Sequence, residues 1–267
     1  MRFPYSIWPS LFVLALGCGD TPGIDGRSVP PIFEPMTAGR IANDGGASRG
    51  VGWADFDRDG DPDLALTNTD GQWNSFYLNT LLGRIDDRRD SGANTSGTAS
   101  GSAGAIFLKA SDPNLSLFGA VAAAGGRGEG VSWVDYDGDG DLDLHIVTRG
   151  LEADLFFKNE GNAGLVRVTD GLLVRPMSNT MACWADVDGD GWLDVYLVAY
   201  RENQRNTLLR NRGNGVFEEL TGSPAAFGNG TGRSCGWGDP NDDGLPDLYV
   251  GVAREPNQFF WNRGDFV

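Results

Sequence analysis

The segment 135-DYDGDGDLD-143 places Asp135, Asp137, Asp139, Asp141 and Asp143 within nine residues. Carboxylates this close repel one another unless a cation sits among them. The spacing tells which cation. Counting Asp135 as position 1, the side chains at positions 1, 3, 5 and 9 and the backbone carbonyl of position 7 surround one point with oxygen. A glycine at position 6 permits the sharp turn this requires. Hard oxygen ligands in that number suit Ca²⁺ rather than Zn²⁺ or a redox metal, and Mg²⁺ prefers a smaller octahedral shell that keeps its waters.

The pattern occurs four times: 53-WADFDRDGDPDLAL-66, 133-WVDYDGDGDLDLHI-146, 184-WADVDGDGWLDVYL-197 and 237-WGDPNDDGLPDLYV-250. The candidate ligand sets are therefore Asp55, Asp57, Asp59, the carbonyl of Asp61 and Asp63 in the first loop. The second loop supplies Asp135, Asp137, Asp139, the carbonyl of Asp141 and Asp143. The third supplies Asp186, Asp188, Asp190, the carbonyl of Trp192 and Asp194. In the fourth, Asp239, Asn241, Asp243, the carbonyl of Leu245 and Asp247 form a weaker set, because Asn241 brings a neutral oxygen. Up to four Ca²⁺ ions are expected. An EF-hand is excluded: position 12 is Leu66, Ile146, Leu197 or Val250, each inside a strand-like run, where that motif needs a bidentate glutamate and a helix.

The elements that position these loops are short strands. Each loop runs into a mostly apolar stretch such as Leu142–Val147, followed by a second run ending in asparagine: 75-SFYLN-79, 154-DLFFKN-159, 207-TLLRN-211 and 257-NQFFWN-262. A glycine-containing turn and a further strand, as in 215-GVFEELT-221, complete the unit. Strand units repeating every ~50 residues indicate an all-β fold, a β-propeller of four-stranded blades. The propeller is expected over residues 32–267, with a Gly/Ser-rich insertion at about 82–104 after which 106-IFLKA-110 resumes the blade. The segment 32-IFEPMT-37 resembles 216-VFEELT-221, so the chain opens with the last strand of a unit. That strand either completes the final blade and closes a four-blade ring, or the blades belong to a larger ring.

Other chemistry is thinly represented. The single histidine, His145, lies in a strand, and neither a nucleophile elbow nor an HExxH motif is present. No enzyme is expected. The triplet 263-RGD-265 falls in the same blade turn as 212-RGN-214, so repeat geometry accounts for it, and the sequons at Asn94, Asn114 and Asn229 carry little weight. Turns on the side away from the aspartates offer no distinctive aromatic or basic cluster. Cys183 and Cys235 occupy near-equivalent places in neighbouring repeats; a bridge is geometrically conceivable, but two buried free thiols are the expectation. A formal net charge of −16 disfavours nucleic acid and anionic lipid as partners.

The N-terminus carries Arg2 and a short apolar run ending in 14-LALGC-18, which resembles a bacterial lipobox. Residues 1–18 are expected to be an export signal with Cys18 as an acylation site, and 19–31 a flexible tether. The expected location is the outer membrane or cell surface, or the secreted fraction, with the membrane touched only through the lipid.

On the Trp-x-Asp-x-Asp-x-Asp-Gly-x-x-Asp units, the chain resembles FG-GAP and VCBS repeats, such as those of the integrin α-subunit propeller, and bacterial proteins of the cartilage-acidic-protein/UnbV group. The resemblance implies calcium in the loops, at the positions named above, and a propeller used for adhesion or binding. A non-enzymatic, calcium-binding surface module with a protein or glycan partner is the leading expectation. The alternatives are a calcium-dependent polysaccharide-active enzyme such as a lyase, and a purely structural propeller segment of a larger assembly.

Overall fold

The structure, a computed structural model, describes residues 40–43, 45–81, 105–109, 127–150, 152–161, 164–226 and 231–264. The expected signal, tether and starting strand, Cys18, the 82–104 insertion and the three sequons lie outside these residues.

Among the described residues a short helix, α1 (Arg40–Asn43), precedes fifteen strands. The first sheet is β1 (Ser48–Ala54), β2 (Asp63–Asn68), β3 (Ser75–Leu81) and β4 (Ala105–Lys109), paired in that order. The second is β5 (Gly128–Val134), β6 (Asp143–Thr148), β7 (Leu155–Asn159) and β8 (Leu165–Val168). The third is β9 (Asn179–Ala185), β10 (Asp194–Ala199), β11 (Thr207–Asn211) and β12 (Phe217–Glu219). The fourth has three strands among the described residues: β13 (Gly232–Gly238), β14 (Asp247–Val252) and β15 (Gln258–Phe260). All pairings are antiparallel, and the strand β4 at 105–109 resumes the first blade after the insertion. The register repeats too: Ala54 faces Asp63, Val134 faces Asp143, Ala185 faces Asp194 and Gly238 faces Asp247. Each aspartate loop therefore closes the hairpin between the first two strands of its blade.

The first strands lie side by side, β1 against β5, β5 against β9 and β9 against β13. The core consists of three layers between sheets. One joins Phe56, Ala65 and Phe76 of the first blade to Leu144, Ile146 and Trp133 of the second. The next sets Val147 and Phe156 against Trp184, Val195 and Leu197, and the third sets Tyr196, Val198 and Leu208 against Trp237, Leu248 and Val250. Central blades are thus covered on both faces, which is why β6 and β10 show no alternation of burial and are buried at every position.

The repeat tryptophan is the wedge in these layers. Trp133 stacks on Phe56 of the preceding blade at 5.5 Å, Trp184 meets His145 edge-on at 5.6 Å, and Trp237 meets Tyr196 edge-on at 6.3 Å. Trp53 has the same place in the repeat but remains 53% exposed, with Phe107 of its own sheet as its aromatic neighbour. At the other end Tyr249 and Phe259, whose counterparts His145 and Phe156 lie beneath Trp184, are likewise exposed. Trp133→Ala is expected to cost about 3–5 kcal/mol and Trp53→Ala under about 1 kcal/mol, measured by urea unfolding of both variants. Equal losses would contradict this packing.

The cysteines are bridged, which corrects the expectation of free thiols. Cys183 of β9 and Cys235 of β13 form a disulfide with their Cα atoms 6.0 Å apart. Cys183 immediately precedes Trp184, whereas Cys235 lies two before Trp237. Side chains alternate along a strand, so Cys235 shares the face of Trp237 and Cys183 takes the face opposite Trp184. The one-residue offset aims both sulfurs into the gap between the two blades.

Candidate metal centres

Each aspartate loop is shaped by its own backbone bonds. The N–H of the position-6 glycine donates to the position-1 carboxylate in all four loops: Gly60 to Asp55 at 3.0 Å, Gly140 to Asp135 at 3.0 Å, Gly191 to Asp186 at 2.9 Å and Gly244 to Asp239 at 2.8 Å. These glycines have φ between 84° and 93°, a conformation that a side chain strains. The position-9 aspartate is buried and pinned by the third strand. Asp63 Oδ1 accepts from Asn79 N–H at 2.8 Å, Asp143 from Asn159 at 2.8 Å, Asp194 from Asn211 at 2.7 Å and Asp247 from Asn262 at 2.7 Å. The asparagines also tie blades together. Nδ2 of Asn159, Asn211 and Asn262 donates to the position-2 carbonyl of the preceding loop, at Phe56, Tyr136 and Val187 respectively.

Three loops gather positions 1, 3 and 9: Asp55, Asp57 and Asp63; Asp135, Asp137 and Asp143; Asp186, Asp188 and Asp194. In each, one carboxylate oxygen per residue lies within 4.8 Å of the others. Position 5 is also tied to the backbone. Asp59, Asp139, Asp190 and Asp243 accept the N–H of position 7, from Asp61, Asp141, Trp192 and Leu245, at 2.9–3.0 Å, and so brace the turn. In the fourth loop Asn241 Nδ2 donates to Asp243, and Asp239 is exposed while Asp247 is buried.

The donor set fits a hard cation. Oδ1 of Asp55, Asp135 and Asp186 is buried and receives no hydrogen bond. A buried carboxylate oxygen without a donor is costly unless a positive charge faces it. Burial, reinforced by neighbouring carboxylates, pushes Asp63 up to about 8 and Asp143 and Asp194 up to about 7. A divalent ion held there would offset that penalty.

Part of the positive charge comes from the chain, through residues that the loop pattern alone does not disclose. Lys158 Nζ is 2.6 Å from Asp137 and 3.5 Å from Asp139, and its hydrogen bond to Asp137 raises its pKa. Arg210 pairs with Asp188 and lies 3.4 Å from Asp190. Both directly precede the blade asparagine, where the first and fourth blades have Leu78 and Trp261. Cations at that one position are the signal that would have found them.

His145 is buried between sheets, with Nε2 4.0 Å from Asp154 Oδ2, and desolvation lowers its pKa to about 3. Asp154 binds the N–H of Thr148 at 2.7 Å, a place that Asn74, Asn206 and Asn257 fill in the other blades. Burial pushes Asp154 up to about 7. Its contribution to stability is present below about pH 4 and lost as the pH rises to about 7; that of His145 is present above about pH 6.5 and lost as the pH falls to about 3. The two slopes oppose each other between about pH 4 and 6.5. Asp154→Asn is expected to expose the His145 slope, with urea midpoints rising from pH 3 to 6.5 more steeply than in the parent. An unchanged profile would show that Asp154 does not titrate there.

The turn at Arg263 follows the repeat: Gly264 N–H donates to Asn262 Oδ1 at 2.9 Å, as Gly213 does to Asn211 and Gly161 to Asn159.

Among curated proteins, no sequence matches the chain. The family model of the FG-GAP-like repeat matches residues 135–197 and 186–250, each match running from one aspartate loop through the strand after the next. Residues 135–250 thus match FG-GAP-like repeats, and the antiparallel four- and three-stranded sheets are compatible with an all-β fold of β-propeller type.

Proposed function

We propose that the chain is a calcium-stapled, non-enzymatic binding or adhesion module working outside the cytoplasm, with a protein or glycan as partner. The observation that carries this reading is the threefold recurrence of a half-buried aspartate cluster with an unpartnered buried oxygen, inside repeats of a kind found in adhesion and binding modules. Asp55, Asp57 and Asp63 and their counterparts would hold the ion, which supplies charge neutralisation and rigidity. The fourth loop, with Asn241, would bind more weakly. The Cys183–Cys235 bridge supports an oxidising location, consistent with the export signal and with acylation at Cys18. The buried His145 has no route to a substrate, which counts against a histidine-based hydrolase.

The test is retention of calcium-loaded and chelated protein on arrays of purified glycans and matrix proteins. Saturable retention that is lost on chelation is the expected result. Release of unsaturated sugar ends from a polysaccharide would instead establish a lyase.

One observation favours a second reading, a structural segment of a larger assembly. Trp53 at one end and Tyr249 and Phe259 at the other are the two halves of the inter-blade contact, both exposed. Sedimentation of the parent beside Trp53→Ser decides it: association lost in the variant supports assembly, and a monomer in both rejects it.

A further inference from the structure

The hairpin ends opposite the aspartate loops do not repeat from blade to blade. The backbone there is equivalent, with Thr69, Arg149 and Tyr200 donating their N–H groups to Ala47, Arg127 and Ser178. The side chains differ, and they converge. A cavity of about 300 Å³ is lined by Arg49 from the first blade, Arg127 and Arg149 from the second, and Arg201 from the third, against only two carboxylates, Asp70 and Glu129. This corrects the expectation that the face away from the aspartates carries no basic cluster. In a chain of net charge −16, such a concentration of arginine is a local reversal of sign.

The cluster has internal order. The Arg149 guanidinium stacks on the Tyr200 ring at 3.6 Å, and Arg233 of the fourth blade reaches the same ring at 4.8 Å. Stacking uses the face of a guanidinium and leaves its N–H edge free to bind a planar or tetrahedral oxyanion in bidentate fashion. Arg149 also pairs with Glu129 at 3.4 Å; among the described residues no carboxylate pairs with Arg49, Arg127 or Arg201. Ser178 lines the cavity at 1% exposure, and its hydroxyl has no hydrogen-bond partner. A buried hydroxyl beside several cations is a donor suited to an acceptor that also offsets charge.

We propose that this cavity, built by the first three blades with Arg233 of the fourth at its edge, binds an oxyanion carried by an acidic sugar, a carboxylated or sulfated unit of a glycan. The volume matches roughly one sugar unit at the small end of ligand sites. The Ser178 hydroxyl among the arginines matches a ligand that is itself rich in hydroxyls. The inference rests on the reading of the chain as a binding module and names the ligand class for it.

The experiment is isothermal titration of the calcium-saturated full chain with trigalacturonate, a sulfated disaccharide, a neutral trisaccharide, sodium sulfate and sodium phosphate. Binding of an acidic sugar, weakened by salt, is expected, with no heat from the neutral one. Arg201→Ala and Arg127→Ala, both exposed positions, should each weaken it about tenfold or more at an unchanged melting temperature. Arg149→Lys keeps the charge and should still weaken binding, because an ammonium offers no bidentate edge. Absence of binding to either acidic sugar, or equal affinity in the arginine variants, overturns the proposal. Inorganic sulfate or phosphate binding as tightly as the sugars overturns the glycan source. The melting response to calcium, read separately, tests the calcium-stapled module, so the two failures are distinguishable.

Discussion

Chelated protein at pH 7 is expected to melt at least about 15 °C below the calcium-saturated protein. An ion bound only by the folded state at 100 times its dissociation constant contributes about 2.7 kcal/mol. Three such sites give about 8 kcal/mol, and in a domain of this size each kcal/mol moves the midpoint by about 2–4 °C. The pH dependence has a definite sign. Without calcium, Asp63, Asp143 and Asp194 hold their protons to about pH 7–8 in the folded state and to about pH 4 in the unfolded state. Their contribution to stability is therefore present below about pH 4 and lost as the pH rises to about 8, so the chelated protein is more stable at pH 5 than at pH 8. Calcium requires the ionised carboxylates, and its apparent affinity should rise over that range. Differential scanning calorimetry with and without chelator at pH 5 and pH 8 measures both effects. A chelated protein with the same midpoint as the loaded one would mean that the loops are solvated turns braced by Lys158 and Arg210.

Reduction of the Cys183–Cys235 bridge is expected to destabilise the protein by about 4 kcal/mol. The bridge closes a loop with a sequence separation of 52 residues, and the loss of unfolded-chain entropy for such a loop has that size. It also fastens the fourth blade, which rests on a single inter-sheet layer and exposes Tyr249, Phe259 and Trp261. Cys183→Ser/Cys235→Ala should lower the urea midpoint, and hydrogen exchange should rise first in β13–β15. Uniform exchange in all blades would show that the bridge does not hold the fourth blade selectively.

Much of this architecture is local and therefore readable along the chain. The loop bonds from Gly140 to Asp135 and from Asp141 to Asp139 span five residues or fewer, so their donors and acceptors keep a fixed spacing that the sequence displays. Strands with both faces buried show as apolar runs, and asparagines that bond to the loop before them recur at one place in each unit. The clustering of carboxylates at positions 1, 3 and 9 was legible for this reason; the bond from position 5 to the N–H of position 7 was not, because the same residue type serves ligation and turn formation.

Contacts between blades obey no such spacing. Four tryptophans equal in sequence become three wedges and one exposed ring, because among the described residues only three of them meet a preceding blade. The disulfide depends on a one-residue offset whose meaning appears only once two sheets face each other. Lys158 and Arg210 are ordinary strand residues until the third strand of a blade is laid beside its aspartate loop. Arg49, Arg127, Arg149 and Arg201, scattered over about 150 residues, become one positive cavity because equivalent hairpin ends converge. By itself the sequence determined the repeated hairpin and its aspartate loop, since both are held by neighbours in the chain. Only the tertiary structure decided which copies are covered, which cysteines meet and where charge of one sign collects, since those follow from packing one repeat on the next.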